Sequence, residues 1–313
     1  MGWSLLNSVS RLSDEPLVSI IIPVHERADV LEVALASMKE QTYRSLELIV
    51  VDDKSRNKGE IERICRKASA LYLRNDSRAK VPQRALARNI GLARSTGEII
   101  VFLDQDMILP VDSIEGHVSW HRAEERVAIS CQVWNLTLDR RFLRRSRFTS
   151  EELREASQPF IQDSGIVWSR RGSVHRSKNW WAFLSGECSF RRSDVMRLNG
   201  WDPFFEGWGG EDNEIGYRIV LNGMDIIYCE DVKAFHVLHE VGPRERYERS
   251  VSALKNIEYM CWKFPELSRY DRLIDRRREL EEFRRRYEGE RVHESWLHEG
   301  SRIIKDLMRK WRK

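Results

Sequence analysis

The chain has 313 residues, 41% of them hydrophobic and 33% charged, a composition that can fill an α/β core and is unlike that of a disordered chain. Its five cysteines (Cys65, Cys131, Cys188, Cys229 and Cys261) are scattered and never spaced Cys-x-x-Cys, which argues against a disulfide framework or a zinc site and for free thiols in a reducing compartment. The net charge of +4 is unevenly placed: Lys255–Lys313 holds 17 Lys/Arg against 12 Asp/Glu, so residues 1–254 sit near −1 and the main body is not expected to bind nucleic acid.

In chain order, the first apolar patch is Trp3-Ser4-Leu5-Leu6, too short for a signal peptide. No later run approaches the length of a membrane span, so a cytoplasmic protein is expected. The mostly apolar run Val18–Val24 (VSIIIPV), with Pro23 near its end, predicts a buried strand. Val30, Leu31, Ala34, Leu35 and Met38 then recur at helical spacing. Leu46–Val51 predicts a second buried strand closed by Asp52-Asp53, 59–69 a helix and 71–73 a short strand. Residues 85–95 predict a helix that stops before Gly97, and Ile99–Leu103 a further strand. Strands and helices alternating at this spacing predict βαβ units and a mostly parallel sheet flanked by helices.

Such sheets commonly bind nucleotides, yet neither G-x-G-x-x-G nor a Walker A motif follows a strand here. Carboxylates stand at the strand ends instead. Ile99–Leu103 runs straight into Asp104-Gln105-Asp106, at the carboxyl end of a strand, where open α/β sheets bind ligands. In an extended conformation Asp104 and Asp106 would point the same way and could hold a hard divalent cation, which in turn could hold a diphosphate. A solvated acidic turn is the alternative. Further on, Arg140, Arg141, Arg144, Arg145 and Arg147 interleave with Phe142, Leu143 and Phe148, as either a solvated helix face or a lid meeting an anionic partner. Gly207, Gly209 and Gly210 surround Trp208, combining a compliant backbone with an indole able to stack on a flat ligand face. Glu211 and Asp212 then open a helical segment, where spacing alone indicates helix capping. His236 and His239 are expected to follow a strand over Asp225–Tyr228. In the tail, Ile303, Ile304, Leu307, Met308 and Trp311 form an apolar stripe among basic residues. It suits an anionic membrane surface, its own domain or a second subunit.

Three blocks carry a family resemblance. IIPVHERADVLEVALASMKEQTYRSLELIVVDDKS and ALARNIGLARSTGEIIVFLDQDMILP resemble the first two blocks of family 2 glycosyltransferases of the GT-A fold. WAFLSGECSFRRSDVMRLNGWDPFFEGWGGEDNEIGYRI resembles the acceptor-side block shared by bacterial chondroitin-type polymerases, polypeptide N-acetylgalactosaminyltransferases and β-1,4-galactosyltransferases. All lie within Val18–His239, in the family's order.

The resemblance implies a metal-dependent, inverting transfer of a sugar from a nucleotide-sugar, a UDP-sugar first, to a saccharide hydroxyl. A GDP- or dTDP-sugar donor, or a non-catalytic sugar-nucleotide binding module, is the alternative. It assigns Pro23, Glu26, Asp53, Arg88, Asp104 and Asp106 to the donor, and Trp208, Gly210 and Glu211 to the acceptor. Asp212 becomes the general base, and Asp106, Asp104 and His236 the metal ligands, with His239 as the other histidine candidate. Mn²⁺ suits imidazole with carboxylates better than Mg²⁺. On their own residues, Asp53 could instead be a strand-end cap and Arg88 a helix-surface arginine. Glu26 departs from the family's usual Asn, placing a carboxylate where it would repel a diphosphate; Glu187 departs from the Asn, Gly or Ala often found there, which would change acceptor or donor-sugar preference. The implied organisation is an extension over 1–16, a donor half over 17–120, an acceptor half over 121–245 and a C-terminal helical extension over 246–313.

Overall fold

The computed structural model describes residues 12–79, 81–136, 150–159, 174–239 and 241–296. The Trp3–Leu6 patch, the Arg140–Arg147 cluster and the stripe from Ile303 onward lie outside the described residues. In order, the elements are β1 (Val18–Val24), α1 (Ala28–Lys39), β2 (Leu46–Asp52), α2 (Lys58–Ala68), β3 (Leu71–Arg74), α3 (Arg84–Arg94) and β4 (Ile99–Leu103). There follow β5 (Met107–Ile108), α4 (Ser113–Ala123), β6 (Val127–Leu136), α5 (Ser150–Glu155), β7 (Ser157–Pro159), β8 (Arg176–Ser177), β9 (Glu187–Arg191) and α6 (Arg192–Arg197). The last are α7 (Glu211–Leu221), β10 (Asp225–Val237), α8 (Pro243–Lys263) and α9 (Asp271–Trp296).

Among the described residues, ten strands join one sheet, in the order β3-β2-β1-β4-β9-β6-β10-β5, with β7 on β6 and β8 on β10. The first four are parallel. Every residue of β1 and β4 is buried, the consequence of apolar runs, interrupted only by Ser19, that need cover on both faces. The chain steps outward from β1 to β2 and β3, then returns to the other side of β1 as β4. That reversal makes a crevice at the carboxyl ends of β1 and β4, where a doubly wound sheet binds its ligand. Pro23 is tolerated because β1 pairs with β4 only over Val18–Ile21, so the missing N–H costs that ladder nothing. On the sheet, α3 lies unusually close: a Cβ on Gly91 would stand 2.4 Å from Ile21 Cγ2. This approach brings Arg88, one turn earlier on the same face, down onto the sheet.

Beyond β4 the βαβ pattern ends. β9 runs antiparallel between β4 and β6, and its polar members are met by α4. Ser189 Oγ lies 2.8 Å from both His117 Nδ1 and His121 Nε2. β10 also differs from the sequence expectation, which ended it at Tyr228. The strand continues to Val237 through an irregularity between Cys229 and Lys233. The acidic pair Glu230-Asp231 resembles a turn in the sequence, but a bulge absorbs it. Val232, Ala234 and Phe235 then return to full burial. His236 therefore lies within a strand, not after one.

The chain divides into two compact units: residues up to Pro203 with Asp212–Leu238, and Phe204–Glu211 with the chain from His239 onward. The first holds the sheet and its flanking helices. In the second, Leu254, Ile257 and Met260 of α8 are buried, as are Leu267 and, in α9, Leu273 and Leu280. Tyr247 stacks on Tyr287 at 4.6 Å between ring centroids. The exposed side of α9 is laced with pairs such as Arg277–Glu281 and Arg284–Glu288 at helical spacing, which support a helix with little apolar surface. Among the described residues no helix is long and apolar enough to cross a membrane.

Candidate functional site

The acidic run at the end of β4 is a turn, not extended strand. Met107 N–H donates to Asp104 C=O at 3.1 Å, so the alternation expected to align Asp104 with Asp106 does not apply. The two side chains go to different partners. Asp104 Oδ1 accepts from Arg88 Nη2 at 2.9 Å, and Asp106 Oδ2 lies 3.4 Å from His236 Nε2. The β5–β10 pairing sets the second contact: His236 stands opposite Met107, and Val237 N–H donates to Asp106 C=O at 2.8 Å. Asn135 Oδ1, 3.4 Å from His236 Nδ1, meets the other side of the ring. Burial disfavours the imidazolium, but the hydrogen bond to Asp106 and the charges of Asp106 and Asp104 outweigh it and raise His236 above its ordinary value. Asp106 and His236 can each offer one ligand atom to a shared ion. His239 begins the long segment of the second unit.

Gln105, between the two aspartates, closes the crevice on the β1 side. Its Oε1 accepts from His25 N–H at 2.9 Å and its Nε2 donates to His25 C=O at 3.2 Å, while His25 Nδ1 sits 2.7 Å from Asp53 C=O. The loop after β1 is thereby tied to both the acidic turn and β2. Nothing in the spacing marked Gln105 or His25. In the same loop Glu26 and Arg27 have φ of 58° and 54°, left-handed conformations that cost non-glycine residues energy. Glu26 does not stand as a free anion: its Oε1 accepts from Arg56 N–H at 3.2 Å and Nε at 3.0 Å. Burial raises its pKa, but the Arg56 hydrogen bonds and charge prevail and leave it below the usual carboxylate value. Asp53 is 1% exposed, with Oδ1 accepting from Asn75 Nδ2 at 2.8 Å and Oδ2 from Gln83 N–H. It fixes the segment between β3 and α3. Its neighbour Asp52 is consumed structurally by Tyr72, Arg74 and Ser55.

Arg88 is 1% exposed, which overturns the surface-arginine alternative. Its guanidinium carbon lies 4.6 Å from the Trp201 ring centroid, and Trp201 meets Phe102 of β4 edge-on at 5.3 Å. Asn89 clamps Trp201 in place, donating to its C=O at 2.7 Å and accepting from its N–H at 2.8 Å. Sequence reasoning saw Arg88 but not Asn89 or Trp201, because their partner lies more than a hundred residues away.

On the other side of β4, Gly186 C=O accepts the Asp104 N–H at 2.8 Å, and the preceding residue, Ser185, donates its hydroxyl to Asp212 Oδ1. Asp212 stands in the first turn of α7. That helix is pinned by Asn213 Nδ2 on Trp181 C=O at 2.8 Å and by Arg218, which donates to Leu198 C=O and, at 2.9 Å, to Gly200 C=O. Cys188 lies beneath; burial pushes its thiol far up, Arg88 opposes this, and the charges of Asp212 and Asp104 add to it. The acidic turn and Asp212 thus surround one strand end. Glu187 does not face them. It is fully buried on the opposite side of β9, 3.0 Å from His117 Nε2 and 3.2 Å from Ser113 Oγ.

In the second unit, the Trp208 loop is bound to α8. Trp208 N–H donates to Ser252 Oγ at 3.1 Å, Asn256 Nδ2 donates to Gly209 C=O at 2.7 Å, and Arg249 lies 5.8 Å from the Trp208 ring centroid. Gly209 and Gly210 have φ of 87° and 92°, accessible to glycine at little cost. Glu211, which starts α7, is 8% exposed.

Residues 19–196 match the family model described as glycosyl transferase family 2. The chain belongs to that family. Residues 170–240 match a second model, described as the N-terminal domain of galactosyltransferase. Chondroitin synthase of Escherichia coli is 26% identical over 267 residues, covering 77% of this chain and 37% of that protein. Validoxylamine A glucosyltransferase of Streptomyces hygroscopicus subsp. jinggangensis is 25% identical over 277 residues, covering 82% and 63% respectively. This family member therefore spans less than two-thirds of these relatives' length.

Two solved structures share its GT-A fold. The mannosyltransferase PcManGT from Pyrobaculum calidifontis, in complex with GDP-Man and Mn²⁺, has a TM-score of 0.54 and 24% identity over 80% of this chain and 66% of its own. GalNAc-T7 with UDP, GalNAc and Mn²⁺ has a TM-score of 0.61 and 18% identity over 88% and 55%.

Proposed function

We propose that the protein transfers a sugar from a nucleotide-sugar, a UDP-sugar first, to a saccharide hydroxyl with inversion at the anomeric carbon. The observation that carries this reading is the shared strand end. Gly186 C=O holds Asp104 of the donor-side turn, and the adjacent Ser185 hydroxyl holds Asp212. Asp212 is the general base: it takes the acceptor hydroxyl's proton as that oxygen bonds to the anomeric carbon and the bond to the nucleotide diphosphate breaks. Such a base contributes ~10²–10⁴-fold, and one direct displacement inverts the centre. Asp53 and Pro23 belong to the nucleotide side, with Glu26 of the loop after β1 orienting Arg56 of the loop after β2. Arg88 holds Asp104 in place. Trp208, Gly210 and Glu211, which lead the chain into α7, are assigned to the acceptor.

A carboxylate and an imidazole facing each other, Asp106 and His236, are a donor set that fits a divalent cation, with Mn²⁺ favoured over Mg²⁺. Asp106 and His236 would hold the ion, with Asp104 on its hydration shell and His239 as the further candidate ligand. Bound there, it supplies positive charge against the leaving diphosphate. The structural neighbour with GDP-Man keeps a GDP-sugar as the second reading, with a dTDP-sugar behind it.

The test is nucleotide release from a panel of UDP-, GDP- and dTDP-sugars with Mn²⁺, with EDTA, and with Asp212→Asn. One donor hydrolysed slowly, and protected by EDTA, is the expected result. Binding of a donor with no turnover under any condition would favour a binding module instead.

A further inference from the structure

The dipeptide before β9 serves both halves of the crevice, and its first residue has no part in the assignments above. Ser185 is 1% exposed and donates its hydroxyl to Asp212 Oδ1. The direction of that bond follows from chemistry, since an ionised carboxylate only accepts. We propose that Ser185 is a positioning residue for the base: its hydroxyl sets the rotation of the Asp212 carboxylate and favours its ionised form. This rests on Asp212 being the base.

Three features make Ser185 suited to this role. Its backbone is anchored, because Gly186 C=O takes the Asp104 N–H at 2.8 Å and the next residue, Glu187, pairs with Leu103 of β4. Glu187 is itself held on α4 through Ser113 at 3.2 Å and His117 at 3.0 Å, which opposes slippage of the strand end. Packing at the dipeptide is also close: a Cβ on Gly186 would stand 2.7 Å from Cε, the tip of the Met107 side chain. Finally, a carboxylate in the first turn of a helix has a competing use, turning back to cap its own backbone amides. A fixed hydroxyl outside the helix opposes that rotation. Since hydrogen bonds to a charged form favour it, the same contact keeps Asp212 ready to accept a proton. Two consecutive residues, one by backbone and one by side chain, thus hold the donor-side turn and the base in one register.

The experiment combines ¹³Cγ-aspartate NMR with kinetics on the full chain, using the nucleotide-sugar selected by the release panel and water as acceptor. Asp212→Asn identifies the Asp212 resonance by its disappearance. In Ser185→Ala the Asp212 titration should move to higher pH and kcat should fall about 10- to 100-fold, as expected for losing a hydrogen bond to a charged group, with KM for the donor unchanged. Ser185→Thr, which keeps the hydroxyl, should restore both. An Asp212 resonance that titrates identically in wild type and Ser185→Ala overturns the proposal whether or not a donor has been found. A moved titration with unchanged kcat also overturns the positioning role if Asp212→Asn is inactive. If Asp212→Asn remains active, the failure lies in the assignment of the base.

Discussion

Arg88→Met is expected to destabilise the protein by about 2 kcal/mol, through the charge it strands and the cation–π contact it removes and not through lost packing. Met keeps most of the buried aliphatic volume, so the loss is electrostatic. Arg88 is 1% exposed, bonded to Asp104 at 2.9 Å and 4.6 Å from the Trp201 ring centroid. Removing one partner of a fully buried pair costs ~3–5 kcal/mol. Here the survivor, Asp104, has a side chain 32% exposed, so solvent recovers much of that and ~1 kcal/mol remains after screening. A desolvated cation–π contact adds ~1–2 kcal/mol, offset in part because the guanidinium no longer pays for its own burial.

A chain of this size loses ~2–4 °C in Tm per kcal/mol, so the thermal midpoint should fall by ~5 °C, and the urea midpoint should fall to a lower concentration. The double variant Arg88→Met/Asp104→Asn should recover part of the loss, a coupling of ~1 kcal/mol, because no charge is stranded. A neutral single variant, or a double variant no more stable than the single, would refute the reasoning.

Gly216→Ala should cost ~1–3 kcal/mol by overpacking, since its Cβ would sit 2.5 Å from Trp180 C=O. Because α7 carries Asp212, transfer should fall more than donor binding, which comparison of kcat with donor KM would reveal. Burial, reinforced by the charges of His117 and Arg191, pushes His121 down to about 3 from 6.5. The unfolded chain therefore binds a proton the folded one refuses below pH 6.5, and stability should decline as pH falls, by up to ~1.4 kcal/mol per unit. Urea melts between pH 7 and 5 should show this slope flattened in His121→Gln; an unchanged slope would count against it. Mn²⁺ at a hundred times its Kd should stabilise the fold by ~2.7 kcal/mol, seen as a rise in Tm that His236→Ala removes. An equal rise in both proteins would mean the ion binds elsewhere.

The parts legible in the sequence are those governed by local periodicity. The apolar runs at Val18–Val24 and Ile99–Leu103 could only be covered strands, and 3.6-residue spacing placed α1 and α3 between them. That alternation determined a parallel half-sheet, and with it the crevice that Asp53, Asp104 and Asp106 border. Tertiary structure decided what spacing cannot encode. β9 enters antiparallel because Ser189 and Glu187 find partners on α4, some seventy residues away. Glu230-Asp231 becomes a bulge instead of a strand end because the residues beyond it return to the core. The acidic turn separates Asp104 from Asp106 because Arg88 and His236 approach from different elements, and Ser185 reaches Asp212 across 27 residues. A sequence records which side chains can bury or ionise; which charges neutralise one another depends on contacts that form only once the chain has closed on itself.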